Sequence, residues 1–379
     1  MSERTSIEES VDKDRIAAAL GAGRTRSLRL LEPLDERDLK VQHSPLMSPL
    51  IWDLAHIGNY EDQWLLRAIA ADGVGPELDD MYDAFRHPRP NRPQLPLLGP
   101  EAAAAYLTEV RDRALDHLNR VEFDGETPVL RRGFVYSMVI QHEHQHDETM
   151  LATLQLMDAP GYRPDALLAP RAAATPASTA STEHIVGAEV AIPAGTYRVG
   201  TDVDPWAYDN ERPAHDVEAD AFRIDAAPVT NGQFAAFIED GGYDRRALWD
   251  DEGWEWRLKS ELAHPEFWER NGGEWIRNRF GRTEVVPDNE PVQHVCFFEA
   301  DAYARWAGKR LPTESEWEIA ASIDPATGAK GRFPWGDEAP TAAHANLGGT
   351  HYGPAEVGAY PSGVSGFGCH QMIGDVWEW

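Results

Sequence analysis

The chain has 379 residues, with 64 acidic against 35 basic side chains and a formal charge of −29 at pH 7. That charge repels nucleic acid and anionic lipid, and neither a bilayer-length apolar run nor a signal-like N-terminus is present, so nucleic-acid and membrane roles are disfavoured. The length points to two or three domains, and with only Cys296 and Cys369 to pair there is no disulfide framework, which fits a cytoplasmic protein.

Residues 1–159 read as a four-helix domain. Apolar residues recur at helical spacing over 12–32, 48–70, 100–121 and 133–157, and four such helices joined by loops predict an antiparallel bundle. Ser48 with Pro49 in the first turn reads as the start of the second helix, and Gly99 with Pro100 as the start of the third. Residues 160–183 are rich in Ala, Pro, Ser and Thr without periodicity and read as a linker. Over 184–379 Gly, Pro and Trp become frequent and apolar runs short, which predicts a loop-rich α+β domain.

The fourth helix contains QHEHQHDETM at 141–150. His142 and His146 are one turn apart, in a row that continues through Met138 and Met150, so two imidazoles fall on the bundle-facing stripe. A buried imidazole needs a polar partner, either a hydrogen bond or a metal. On the second helix His56 follows Trp52 by one turn, and two helices of a bundle can aim three imidazoles at one point. HEHQH is also a literal H-E-x-x-H, the zinc-peptidase pattern with Glu143 as base. No Gly or His follows at the extended zincin spacing, and 161–180 holds no Glu as a third ligand. In the parse H-x-x-x-H-x-E, Glu148 points away from the histidine row and suits an outer or capping role. Residues 82–96, YDAFRHPRPNRPQLP, form a basic, proline-stiffened loop in an acidic chain, either a solvated turn or a carboxylate receptor.

HEHQHDE and WDLAHIGNYE, with AIPAGTYRVGTD, LPTESEWEIAA, FPWGD and GDVWEW in order after them, resemble the ergothioneine-biosynthesis sulfoxide synthases from about residue 15 to 379. The resemblance implies a DinB-like four-helix bundle followed by a C-type-lectin-like domain related to the formylglycine-generating enzymes. Trp306, Trp317, Trp335 and Trp377 then read as core and loop anchors rather than ligand contacts.

The same resemblance implies a non-haem Fe(II) held by His56, His142 and His146, which leaves coordination positions open and adds no protein charge. It implies γ-glutamylcysteine, hercynine (N-α-trimethylhistidine) and O2 as substrates, joined by C–S bond formation and sulfoxidation. PRPNR matches the family's P-R-x-x-R segment, which implies that Arg89 and Arg92 hold the thiol's carboxylates; Gln145 stands at the family's hercynine-contact position. The family continues beyond GDVWEW, so its catalytic tyrosine is expected after residue 379 and no catalytic acid is assigned. Three alternatives stay open: a DinB-type metal-dependent thiol transferase or hydrolase, a related synthase that uses free cysteine, and a formylglycine-generating or lectin-like binding protein.

Overall fold

A computed structural model describes residues 12–123, 127–157, 184–204, 206–348 and 352–379; the expected linker at 160–183 lies outside them. The chain forms two compact units. One is Met1–Arg163 with Val203–Tyr208, and the other is Pro164–Asp202 with Asp209–Trp379. Val203–Tyr208 thus falls within the second domain by sequence but groups with the first. Among the described residues no helix is long and apolar enough to cross a membrane.

The first unit is built on α1 (Lys13–Leu31), α2 (Leu50–Glu61), α3 (Pro100–Arg120) and α4 (Phe134–Leu156). The Asp12 carboxylate accepts the Arg15 amide at the start of α1, and Gly99 precedes Pro100 at the start of α3, where a missing N–H costs nothing. Ser48 does not cap α2, contrary to the sequence reading. The helix opens after Pro49 without a side-chain cap, and the buried Ser48 hydroxyl instead accepts a hydrogen bond from Arg92 at 2.6 Å. Beyond Glu61 the helix widens into a π-helical turn, Asp62–Arg67, and finishes with Ala68–Ala70. The Asp62 carboxylate is fully buried there and accepts the amides of Val74 and Gly75 at 2.9 and 3.3 Å.

α1 packs on α3 and α4, and α2 packs on the same two helices. Leu20, Leu65, Val110, Ala114, Val135 and Val139 form the heart of the core, each large side chain contributing about 1.5–3 kcal/mol by leaving water. Beside this core each helix contributes one charged residue to a buried tetrad. Arg24 of α1 reaches Glu143 of α4 and Glu61 of α2, both at 2.8 Å. Arg111 of α3 grips the Glu61 carboxylate at 2.6 and 3.0 Å and Glu143 at 3.0 Å. All four are 8% exposed or less. Burial alone would raise the Glu143 carboxyl pKa, but the guanidiniums of Arg24 and Arg111 hold it below the usual range.

In the second unit the strands are short and the sheets small. β1 (Glu189–Ile192) pairs antiparallel with β4 (Phe222–Asp225), while β2 (Gly195–Val199) pairs with β3 (His215–Ala219). β5 (Trp268–Asn271), β6 (Glu274–Arg279) and β7 (Arg282–Val285) form a three-stranded meander. The helices are α5 (Asn231–Glu239), α6 (Asp251–Ser260), α7 (Phe297–Trp306) and α8 (Glu314–Ser322). The run LPTESEWE starts α8 through a capping box, Thr313 accepting the Glu316 amide and the Glu316 side chain accepting that of Thr313. Trp306, Trp317 and Trp335 donate their indole N–H to Asp240, Glu378 and the Glu338 carbonyl, as anchors do. Trp377 is not a core anchor: it is 87% exposed in a segment without regular structure. Cys296 and Cys369 are free thiols.

Candidate metal centre

Trp52, His56 and Tyr60 lie at spacing four on α2, and His142 and His146 at spacing four on α4, so the two rows face each other where the helices pack. The imidazole centroids are 5.0 Å apart for His56 and His142, 4.8 Å for His56 and His146, and 4.6 Å for His142 and His146. One ring nitrogen from each residue lies within 4.8 Å of the other two. The sequence-predicted trio is therefore gathered at one point.

Each ring is held differently. The Nδ1–H of His56 donates to the Tyr82 carbonyl at 2.7 Å, which leaves Nε2 as a lone-pair donor, and the ring stacks on Trp52 at 4.6 Å. The Tyr82 hydroxyl accepts the Leu98 amide, which fixes that turn. Nδ1 of His146 lies 3.3 Å from the buried Asp53 carboxylate, at an angle too poor for a hydrogen bond, so among the described residues this buried nitrogen has no hydrogen-bond partner. His142 stacks on Tyr60, with centroids 3.8 Å apart and planes 15° from parallel.

Burial, then the neighbouring His146, pulls the His56 pKa down to about 4; burial with His146 and His56 takes His142 to about 2. Both rings are therefore neutral near pH 7, the form that ligates metal. Three imidazoles, one with its tautomer set by a carbonyl and one beside a carboxylate, fit a divalent transition metal with open positions. Asp53 and the Tyr82 carbonyl escaped the sequence reading; Asp53, three residues before His56 on an inward face, was the available signal.

Glu143 is not placed as a peptidase base. Its carboxylate turns into the tetrad with Arg24 and Arg111, on another side of α4 from the imidazoles. Glu148 is exposed. Gln145 is exposed and its amide N–H donates to the Tyr208 hydroxyl at 3.2 Å, while Gln141 donates to the Trp206 carbonyl, so the Val203–Tyr208 segment lies along α4.

Arg89 and Arg92 share a 3-10 turn, Arg89–Gln94, but differ in environment. Arg89 is exposed. Arg92 is 6% exposed and donates to the His87 carbonyl at 2.9 Å, to Ser48 and, weakly, to the Ala84 carbonyl at 3.5 Å. Its guanidinium carbon lies 3.5 Å from the centre of the Trp52 ring, and Trp52 in turn stacks on His56. Two of its five N–H donors remain after those bonds.

Residues 19–150 match the DinB superfamily, and residues 174–379 match the Sulfatase-modifying factor enzyme 1-like domain. The class is therefore a DinB-type helical domain followed by a C-type-lectin-like domain of mixed helix and sheet. The chain is 48% identical over 374 residues to the hercynine oxygenase of Mycolicibacterium smegmatis, covering 97% of this chain and 83% of that protein. Against the hercynine oxygenase of Mycolicibacterium thermoresistibile the identity is 49% over 369 residues, 96% and 78% of the two chains. The formylglycine-generating enzyme of Thermomonospora curvata is 36% identical over 228 residues, 52% of this chain and 72% of that protein. The chain belongs to the hercynine oxygenase family and is an oxygenase, hence an oxidoreductase.

Proposed function

We propose that this protein is an Fe(II)-dependent sulfoxide synthase that joins the thiol of γ-glutamylcysteine to the imidazole of hercynine in ergothioneine biosynthesis. The observation that carries the reading is the gathering of His56, His142 and His146 from two helices in a member of the hercynine oxygenase family. The reaction balances as R–SH plus Ar–H plus O2 giving R–S(O)–Ar plus water. The S–H and C–H bonds break, a C–S bond forms, one oxygen atom is retained on sulfur and the other leaves as water. Bound iron supplies a site for thiolate and the capacity to reduce dioxygen.

The chain's own residues bind and orient. His56, His142 and His146 would hold the iron. In this reading Arg89 and Arg92 receive the carboxylates of γ-glutamylcysteine; the remaining donors of Arg92, and the stack linking it through Trp52 to His56, support a carboxylate seat near the centre. Gln145 contributes to the hercynine pocket, its amide steadied by Tyr208. A cytoplasmic location belongs to the same reading, since a thiol substrate and two unpaired cysteines suit a reducing compartment.

The test is anaerobic loading with Fe(II), metal analysis, and oxygen uptake with mass-spectrometric detection of product in the presence of hercynine and either γ-glutamylcysteine or free cysteine. One iron per chain and a hercynine–γ-glutamylcysteine sulfoxide are expected. Preference for free cysteine would reassign the thiol, and metal-dependent thiol transfer without oxygen uptake would overturn the reading.

A further inference from the structure

The three imidazoles are not secured alike. His56 has the Tyr82 carbonyl on Nδ1, and His146 has the Asp53 carboxylate alongside. Neither ring nitrogen of His142 has a hydrogen-bond partner among the described residues. Besides the other two imidazoles, the His142 ring packs on Tyr60, one helical turn beyond His56 on α2, stacked face to face at 3.8 Å. Tyr60 also lies tilted against His56, with centroids 6.5 Å apart, and against Trp64 at 6.2 Å. Its hydroxyl makes no hydrogen bond among the described residues, so what Tyr60 offers the centre is the face of its ring.

We infer that Tyr60 is a positioning residue that sets the plane of His142 for metal binding by stacking, in the place that a hydrogen bond to the Tyr82 carbonyl occupies for His56 and the adjacent Asp53 carboxylate for His146. The physical basis is twofold. An imidazole on an α-helix with no hydrogen bond retains rotation about χ2, and a parallel ring in van der Waals contact removes most of it. An imidazole also becomes more cationic when it donates to a metal, and the negative face of a phenol ring attracts that developing charge. Tyr60 therefore favours the bound state over the free one, a bias that burial alone would not produce. This inference rests on the proposal that the three histidines hold a metal.

The experiment measures Fe(II) and Co(II) affinity by chelator competition for the full chain and for Tyr60→Phe, Tyr60→Leu and Tyr60→Met, with near-ultraviolet circular dichroism on the metal-free forms to verify folding. Tyr60→Phe keeps the ring and should bind within about threefold of the parent. Tyr60→Leu and Tyr60→Met lose the ring while filling the space, and should bind roughly 10–100-fold more weakly, the range for losing a residue that orients a ligand. The visible spectrum of the Co(II) form should shift in these two variants and stay unchanged in Tyr60→Phe. A cycle with His142→Ala, read by residual Zn(II) binding, separates positioning from general support: once His142 is gone, Tyr60→Leu should cost nothing further.

Parent-like affinity in a folded Tyr60→Leu or Tyr60→Met chain would overturn the inference. So would equal losses in Tyr60→Phe and Tyr60→Leu, which would give the role to the hydroxyl, or a full additional loss in the His142→Ala background. Failure of the parent chain to bind any of these metals would instead overturn the three-histidine reading beneath it.

Discussion

Replacing Glu143 separates a structural carboxylate from a catalytic one. In Glu143→Ala the tetrad keeps both guanidiniums but loses one of its two carboxylates, leaving Nε of Arg24 without its partner and one Nη of Arg111 with Glu61 alone, in a site 8% exposed or less. Breaking a buried ion pair from one side costs about 3–5 kcal/mol, a large share of the ~5–15 kcal/mol that holds a domain folded. At about 2–4 °C per kcal/mol for a unit of this size, the thermal midpoint should fall by roughly 10 °C. Removing Arg24 as well, in a Glu143→Leu, Arg24→Leu double variant, leaves the bidentate Arg111–Glu61 pair intact and neutral. That variant should be less destabilised than the sum of its single changes by about 0.5–3 kcal/mol. The assays are urea and thermal unfolding of the metal-free protein, with iron content per folded chain measured in parallel. Iron stoichiometry should stay at the parent value in Glu143→Ala below its unfolding range. Parent-like stability together with lost turnover would refute this reasoning and restore Glu143 as an H-E-x-x-H base.

Other outcomes follow from the same geometry. His56→Ala, His142→Ala and His146→Ala should each abolish stoichiometric iron, whereas His144→Ala should not, because His144 faces Arg26 and Asp147 instead of the trio; metal analysis distinguishes them. The depressed pKa values of His56 (about 4) and His142 (about 2) mean that between pH 6.5 and 4 the unfolded chain takes up protons that the metal-free fold refuses. Stability of the metal-free form is therefore fully present above pH 6.5 and should fall as pH drops, by up to ~1.4 kcal/mol per pH unit for each ring, with a shallower slope in His142→Ala. Arg92→Lys should weaken γ-glutamylcysteine binding about tenfold with iron content unchanged, since an ammonium reproduces neither the fork nor the stack on Trp52; equal thiol affinity by calorimetry would remove Arg92 from the receptor.

The bundle helices are legible because their apolar rows are long and their boundaries carry Pro, Gly and Asp signals; α1, α3 and α4 begin and end within a residue or two of the periodicity. The histidine trio is legible for a related reason: helical spacing converts His142 and His146 into neighbours, and His56 shares an inward row with Trp52 on a second helix. The tetrad was missed. Arg24, Arg111 and Glu143 are ordinary charged residues in a charged sequence, and only their fall on inward stripes, Arg111 between Leu107 and Ala114 for example, betrays burial. Nor could periodicity place Val203–Tyr208 against α4, because non-local packing of an irregular segment leaves no local pattern. Ser48 misled because a Ser-Pro pair before an apolar run is a common helix start, and the competing claim on its hydroxyl comes from Arg92, 44 positions away.

The π-helical turn at Asp62–Arg67 gives α2 two rotational settings. An α-helix advances 100° per residue, and an i→i+5 turn absorbs one extra residue. Upstream of the turn, Trp52, His56 and Tyr60 lie at the candidate metal centre; within it, Leu65 and Leu66 are fully buried in the general core and Arg67 is free to hold Asp62 and Asp79. Insertion or deletion of a residue within this turn would re-aim Ala68–Ala70 and the following loop while leaving the imidazole of His56 where it stands. Evolution of that end of the bundle is thereby uncoupled from the chemistry, and length variation among relatives should collect between Asp62 and Asp79 and be absent between Trp52 and Glu61.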